Sequence, residues 1–193
     1  MSVEDIPQVA DIERESFPSM WPQTAYRREL TNKIARYTVV TELRDEQPAP
    51  STGVWGTLRR IVGVEPAAAN EYLLGFIGVW LMAGEAHVVT VAVRQTHRRM
   101  GIGERLLIAA IEQAMEFGQE VVTLEVRASN DAARRLYEKY GFANVGRRVR
   151  YYTDNNEDAI IMTTPELDTK EFRSRFDDLR QRHRAEFEDL WSE

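Results

Sequence analysis

The stretch Val91-Ala92-Val93-Arg94-Gln95-Thr96-His97-Arg98-Arg99-Met100-Gly101-Ile102-Gly103-Glu104-Arg105-Leu106-Leu107 decides how this chain is read. Its first residues close a run from Ala86 to Arg94, rich in valine, that predicts a strand. From Gly101 onward the apolar positions Ile102, Leu106, Leu107, Ala110, Ile111, Ala114 and Met115 recur at three- and four-residue steps. That spacing predicts a helix to Phe117, closed by Gly118. A strand thus feeds a short basic segment, and Gly-x-Gly opens a helix. Glycines there let the backbone approach a ligand, while the first N–H groups and the helix dipole favour an anion, most economically a pyrophosphate. Arg98 and Arg99 add positive charge beside it. Gly-x-Gly by itself fits neither the dinucleotide fingerprint nor the P-loop, whose Gly-Lys-Ser/Thr ending is absent.

Working outward, Tyr72–Met82 and Ala86–Arg94 read as two strands joined through Ala83-Gly84-Glu85. Upstream, Val3, Ile6, Val9, Ala10 and Ile12 suit a short amphipathic helix, and Ser16 to Pro22 is a stiff loop with two prolines and two large aromatics. A second helix over Gln23–Asn32 and a strand over Tyr37–Leu43 follow. Residues 44–70 change character and read as an insertion, with Trp55, Leu58, Ile61 and Val62 spaced for one short amphipathic helix. Downstream, Val121–Val126 is a strand and Asp131–Tyr140 a helix, and Phe142–Tyr152 and Ala159–Thr163 pair across Asp154-Asn155-Asn156. Residues 164–193 form a C-terminal amphipathic helix extension whose stripe is Phe172, Phe176, Leu179, His183, Phe187, Leu190 and Trp191. That stripe covers the domain's own core or, alternatively, meets a partner or a second copy as a homodimer. This order predicts a mixed α/β (α+β) fold, its sheet partly antiparallel and partly parallel.

The 193 residues carry 25 basic and 31 acidic side chains, a net charge of −6, and no cysteine. Disulfides, thiolate zinc sites, iron–sulfur clusters and a cysteine nucleophile are therefore excluded. His87, His97 and His183 lie far apart, so no metal is expected. The acidic balance argues against direct nucleic-acid binding, and no apolar run reaches the ~20 residues that span a bilayer. The acidic start, broken by Pro7, does not resemble a secretory signal, so the expected location is cytoplasmic.

A second run, Leu124-Glu125-Val126-Arg127-Ala128-Ser129-Asn130, leads to Leu136-Tyr137-Glu138-Lys139-Tyr140-Gly141-Phe142. Together with the Arg98–Gly103 pattern it resembles the GNAT family of acetyl-CoA-dependent N-acyltransferases. LEVRASN, LYEKYGF and the later RRVRYYTDNNEDAIIM are similar to its RimI branch, which acetylates the N-terminal alanine of a bacterial ribosomal protein. The likeness covers residues 1–163, and neither 44–70 nor the helix after Pro165 has a clear counterpart. It implies the GNAT fold, a central mixed sheet flanked by helices, and acetyl-CoA as acetyl donor. It further implies that main-chain groups of Val91, Ala92 and Val93 hold the pantetheine arm. The loop of Arg98, Arg99, Met100, Gly101, Ile102, Gly103 and Glu104 then receives the pyrophosphate, and Asn130 contacts the cofactor. Position 104 is commonly basic in relatives and is glutamate here.

By the same resemblance Glu125 is the general base, acting through water, and Tyr137 the general acid. Read from the residues alone, Glu125 inside an apolar strand is either functional or paired with Arg127, Tyr137 is a packing residue, and Asn130 is a helix N-cap. A free α-amine titrates near ~7.7–8 and lysine near ~10.4, so a modest carboxylate base suits the former. Phe17, Trp21, Tyr151 and Tyr152 are candidates for an aromatic groove around a peptide N-terminus. The expected activity is acetyl transfer to the N-terminal α-amine of a protein, a ribosomal protein by resemblance. Alternatives are a small-molecule amine as acceptor, or a non-catalytic acyl-CoA-binding partner module.

Overall fold

The computed structural model describes residues 1–18, 22–43 and 71–191. Elements appear in the order α1 (Ile6–Ser16), α2 (Gln23–Thr31), β1 (Ala35–Leu43), β2 (Glu71–Met82), β3 (Glu85–Val93), α3 (Ile102–Glu116), β4 (Val121–Arg127), α4 (Asp131–Lys139), β5 (Ala143–Tyr152), β6 (Glu157–Thr163) and α5 (Lys170–Glu186). The six strands form one sheet in the order β1-β2-β3-β4-β6-β5. Every neighbouring pair is antiparallel except β3 with β4. The mixed sheet expected from the element order is thus present; residues 44–70 and Trp21 lie outside the described residues.

Two apolar clusters hold helices to the sheet. Ile6, Val9 and Ile12 of α1 and Tyr26 of α2 pack with Leu73, Phe76 and Ala92. Leu106, Leu107, Ile108 and Ile111 of α3 pack with Leu74, Ile77, Val79, Val122 and Leu124, joined by Phe172 and Phe176 of α5. Because β2 is covered on both faces, it is buried without interruption from Leu73 to Val79. A register shift between Val40 and Thr41 of β1 leaves Leu74 as an extra residue of β2, which places Leu73 and Phe76 in the same cluster. Each fully buried aliphatic side chain here contributes about 1.5–3 kcal/mol of transfer free energy.

Gly75 lets α3 come close. A Cβ there would stand 2.8 Å from the Ala92 carbonyl oxygen and 3.1–3.2 Å from Leu106 and Ile102. The C-terminal stripe covers the chain's own core: Phe172, Phe176 and His183 are buried, with Leu179, Leu190 and Trp191 packed behind them.

Candidate active site

β3 and β4 run side by side only from Glu85 opposite Val121 to Val88 opposite Leu124. The cause is local. Between the pairs Gly78–Thr90 and Val79–Val88 the β2–β3 register slips, so Val89 is an extra residue, and such a bulge bends its strand. β4 meanwhile stays on β6, with Glu125 opposite Ile161 and Arg127 opposite Ala159. The central strands therefore part around a cleft of about 520 Å³. Val88 to Val91 form one wall and Leu124 to Arg127 the other, with Phe17, His87, Asn130, Tyr137, Tyr151 and Tyr152 also on the lining.

The donor-side residues fit an elongated phosphate ligand. Val91, Ala92 and Val93 pair with Ile77, Phe76 and Gly75 on β2. In an antiparallel pair alternate residues turn their peptide groups to the far side, here toward the cleft, where an amide-bearing arm can add like a strand. Beyond β3, α3 starts behind Gly101, whose φ is +78°. The N–H groups of Ile102, Gly103 and Glu104 have no intrahelical acceptor, and none has another partner among the described residues. A Cβ on Gly103 would meet nothing nearer than Val93 Cγ2 at 3.7 Å, so a bulky anion has room.

Arg98 is exposed and braced, donating to the Ser16 hydroxyl at 3.2 Å and the Val93 carbonyl at 3.3 Å. Arg99 and Met100 are exposed, whereas the Ile102 side chain is buried in the core and leaves only its main chain to a ligand. Glu104 does not stand uncompensated beside the expected phosphates: Lys139 Nζ lies 2.5 Å and Tyr140 Oη 2.7 Å from its Oε1. Asn130 caps α4, its Oδ1 accepting from the Ala133 N–H at 3.2 Å, and also lines the cleft, so both roles read for it are compatible.

Glu125 projects into the cleft with its side chain 9% exposed. Its Oε1 lies 2.9 Å from Arg148 Nε and its Oε2 3.1 Å from His87 Nε2. Arg127 is not its partner: that guanidinium meets Asp154 at 2.8 Å and Glu157 at 3.3 Å and lies 4.0 Å from the Tyr152 ring centroid. His87 continues inward through Nδ1, 2.9 Å from the Thr123 hydroxyl, which donates to Glu85. Glu125, His87, Thr123 and Glu85 thus form one connected chain of titratable and hydroxyl groups. His87 and Arg148 escape sequence reasoning. His87 meets Glu125 through the parallel register, which sets it opposite Thr123, two residues before Glu125. Arg148 arrives from β5 by way of an intervening strand, β6.

Tyr137 is 7% exposed, with its ring 5.7 Å from that of Phe142. Burial, then neighbouring Tyr152, push its phenol well above the ordinary range, so it is protonated and able to donate at neutral pH. Burial also pushes Tyr152 up to about 12, against the opposing pull of Arg127. Tyr151 is exposed and meets Tyr152 edge-on at 5.2 Å, so two of the expected aromatic residues stand together at the mouth with half-buried Phe17. No group of three or more His, Asp and Glu side chains suited to a metal occurs among the described residues.

A mixed sheet that parts between two parallel strands, beside a glycine loop opening a helix, defines a GNAT-type acetyltransferase. The family model described as Acetyltransferase (GNAT) family matches residues 6–142, and the chain belongs to that family. It is an acetyl-CoA-dependent N-acetyltransferase. Among its relatives, a Bacillus subtilis (strain 168) protein provisionally named a ribosomal protein bS18-alanine N-acetyltransferase is 32% identical over 163 residues, 84% of this chain and 90% of that one. The Escherichia coli (strain K12) ribosomal protein bS18-alanine N-acetyltransferase is 40% identical over 98 residues, 50% of this chain and 66% of its own length. The crystal structure of the Escherichia coli ribosomal-protein-S18-alanine N-acetyltransferase superposes with a TM-score of 0.62 at 26% identity, covering 86% of this chain and 90% of that one. Ard1 from Thermoplasma volcanium gives the same TM-score and identity over 87% and 95%.

Proposed function

We propose that this enzyme transfers the acetyl group of acetyl-CoA to the N-terminal α-amine of a protein, with a ribosomal protein N-terminus as the acceptor. The carrying observation is the parted β3/β4 cleft, which brings the Glu125–His87 pair and the protonated Tyr137 phenol to one lining. Acetyl-CoA supplies the thioester. Val91 to Val93 hold its arm, and the amides at the start of α3 take the pyrophosphate, with Arg98 and Arg99 adding charge.

Glu125 receives the amine proton through an intervening water, and His87 and Arg148 fix the orientation of its carboxylate. As the new C–N bond forms and the C–S bond breaks, Tyr137 gives its proton to the leaving sulfur. No covalent enzyme intermediate is required, which agrees with the absence of cysteine. A carboxylate is a modest base, which suits an acceptor already partly neutral. At pH 7.5 about a third of α-amines are unprotonated, against about one lysine in a thousand.

Phe17, Tyr151 and Tyr152 line the peptide's entry. The test is acetyl-CoA consumption with peptide pairs that share an internal lysine and differ only in a free or blocked N-terminus. Free peptides are acetylated and blocked ones are not; equal acetylation of both refutes the assignment. Mass spectrometry of a ribosomal protein extract treated with the enzyme then identifies the acceptor.

A further inference from the structure

The C-terminal segment reaches the glycine loop. His183 of α5, 3% exposed, places Nε2 3.0 Å from the carbonyl oxygen of Gly101, across 82 positions of sequence. Trp191 Nε1 donates to His183 Nδ1 at 3.0 Å. Because an indole N–H can only donate, Nδ1 is an acceptor, so the imidazole proton sits on Nε2 and points at Gly101. Phe187 closes the contact from the same side: its ring lies 5.0 Å from that of His183, and a Cβ on Gly101 would stand 2.8 Å from it. Arg105 stacks 4.0 Å over Trp191. The far end of α5 is equally fixed, with Phe176 against Tyr140 at 6.3 Å and Arg175 donating to the Lys139 carbonyl at 2.8 Å. The segment thus ties the end of α4, which carries Tyr137 of the cleft lining, to the start of α3 behind the glycine loop.

The consequence follows from peptide geometry. In a trans peptide the C=O of Gly101 and the N–H of Ile102 point in opposite directions. Glycine at φ +78° has low resistance to peptide rotation, and a rotated unit would present a carbonyl, rather than an N–H, to an anion. The Gly101 oxygen accepts from the Arg105 N–H at 2.9 Å and from His183 at 3.0 Å, so both of its lone pairs are engaged. We propose that His183, oriented by Trp191 and backed by Phe187, is a positioning residue that locks the Gly101–Ile102 peptide with its N–H toward the pyrophosphate. Donor binding and docking of the C-terminal segment are therefore coupled. The proposal rests on the acetyl-CoA reading of the glycine loop and extends it to residues outside the family match at 6–142.

Two variants test it in the full-length chain, with CoA titrated calorimetrically and steady-state rates measured with acetyl-CoA and an acceptor peptide. His183→Ala raises the CoA dissociation constant and the acetyl-CoA KM by about tenfold while kcat at saturation and the peptide KM stay within twofold. His183→Gln, whose amide can both donate and accept, recovers most of the affinity. Should His183→Ala fail to fold, Trp191→Phe keeps the ring, removes the N–H that sets the tautomer, and weakens CoA by about threefold. Reciprocally, CoA slows amide hydrogen exchange in residues 183–191 of the unmodified chain. Wild type that binds CoA while the folded variants bind it within twofold, with no exchange change, overturns the coupling and leaves the acetyltransferase reading intact. Wild type that does not bind CoA at all overturns both.

Discussion

Glu125→Gln is the substitution that bears most directly on the proposed chemistry. It preserves the shape of a side chain that is only 9% exposed, and it removes the basic oxygen. In the native site one oxygen lies 2.9 Å from Arg148 Nε and the other 3.1 Å from His87 Nε2, so the new NH₂ must face one of these groups. Arg148 is 54% exposed and can turn to water, which limits the structural cost to about 1 kcal/mol. The chemical cost is larger. Loss of a general base predicts a fall in kcat/KM of about 300-fold at pH 7.5, or about 3.4 kcal/mol of transition-state stabilisation. The CoA dissociation constant, assigned in the proposed function to β3 and the start of α3, stays within twofold. The deficit is pH-dependent with a definite sign: above about pH 8 the acceptor amine deprotonates without help, so the ratio of wild-type to variant rates shrinks between pH 7 and 9. Initial rates of thiol release with a free-N-terminal peptide across that range measure it. A loss below threefold, or one identical at pH 7 and 9, refutes the assignment of Glu125 as base.

Tyr137→Phe lowers kcat by about a hundredfold with CoA affinity retained, seen in the same assay. Since burial raises the Tyr137 phenol, wild-type kcat has no falling limb from its ionisation up to about pH 10. Raised tyrosines favour the protonated folded state, so the stability held by Tyr26, Tyr37, Tyr137 and Tyr140 is complete below about pH 10 and is lost on further titration, which urea unfolding from pH 8 to 11.5 records. Glu157 is held down to about 2 by hydrogen bonds from Ser129, Asn155 and Arg127. Its contribution is present above the unfolded value near 4.5 and is lost as pH falls toward 2, and Glu157→Gln flattens that acid limb in unfolding midpoints. Gly101→Ala destabilises by about 2–3 kcal/mol, from its positive φ and from the ring of Phe187; adding Phe187→Ala recovers the steric part alone, by denaturant titration.

The local elements of this fold are legible because they rest on short-range periodicity. The run from Gly101 to Phe117 predicts a helix that forms over Ile102–Glu116, and the expected strand over Val121–Val126 forms over Val121–Arg127. Glu125 and Tyr137 stand out through motifs that each occupy one continuous stretch. What holds them is not legible. His87 finds Glu125 only because β3 and β4 are parallel in one register, and no pattern within either strand encodes that alignment. The opposite error comes from the same source: Arg127, two residues along β4 from Glu125, suggests an ion pair, yet its charge is taken by Asp154 in the β5–β6 turn and Glu157 just after it. The C-terminal stripe announces burial but not its object, since its contact with Gly101 spans most of the glycine-loop-to-tail sequence.

The outer strand β5 borders the sheet beside β6 and is exposed along nearly its whole length. A flat border of that kind invites another chain to continue the sheet. Here the row carries Arg147, Arg148 and Arg150, its pairing with β6 is irregular between Arg148 and Tyr152, and Arg150 has a φ of +52°. Two copies approaching edge to edge would set mismatched kinks against each other. The exposed border of the sheet is therefore poorly suited to fibrous self-association.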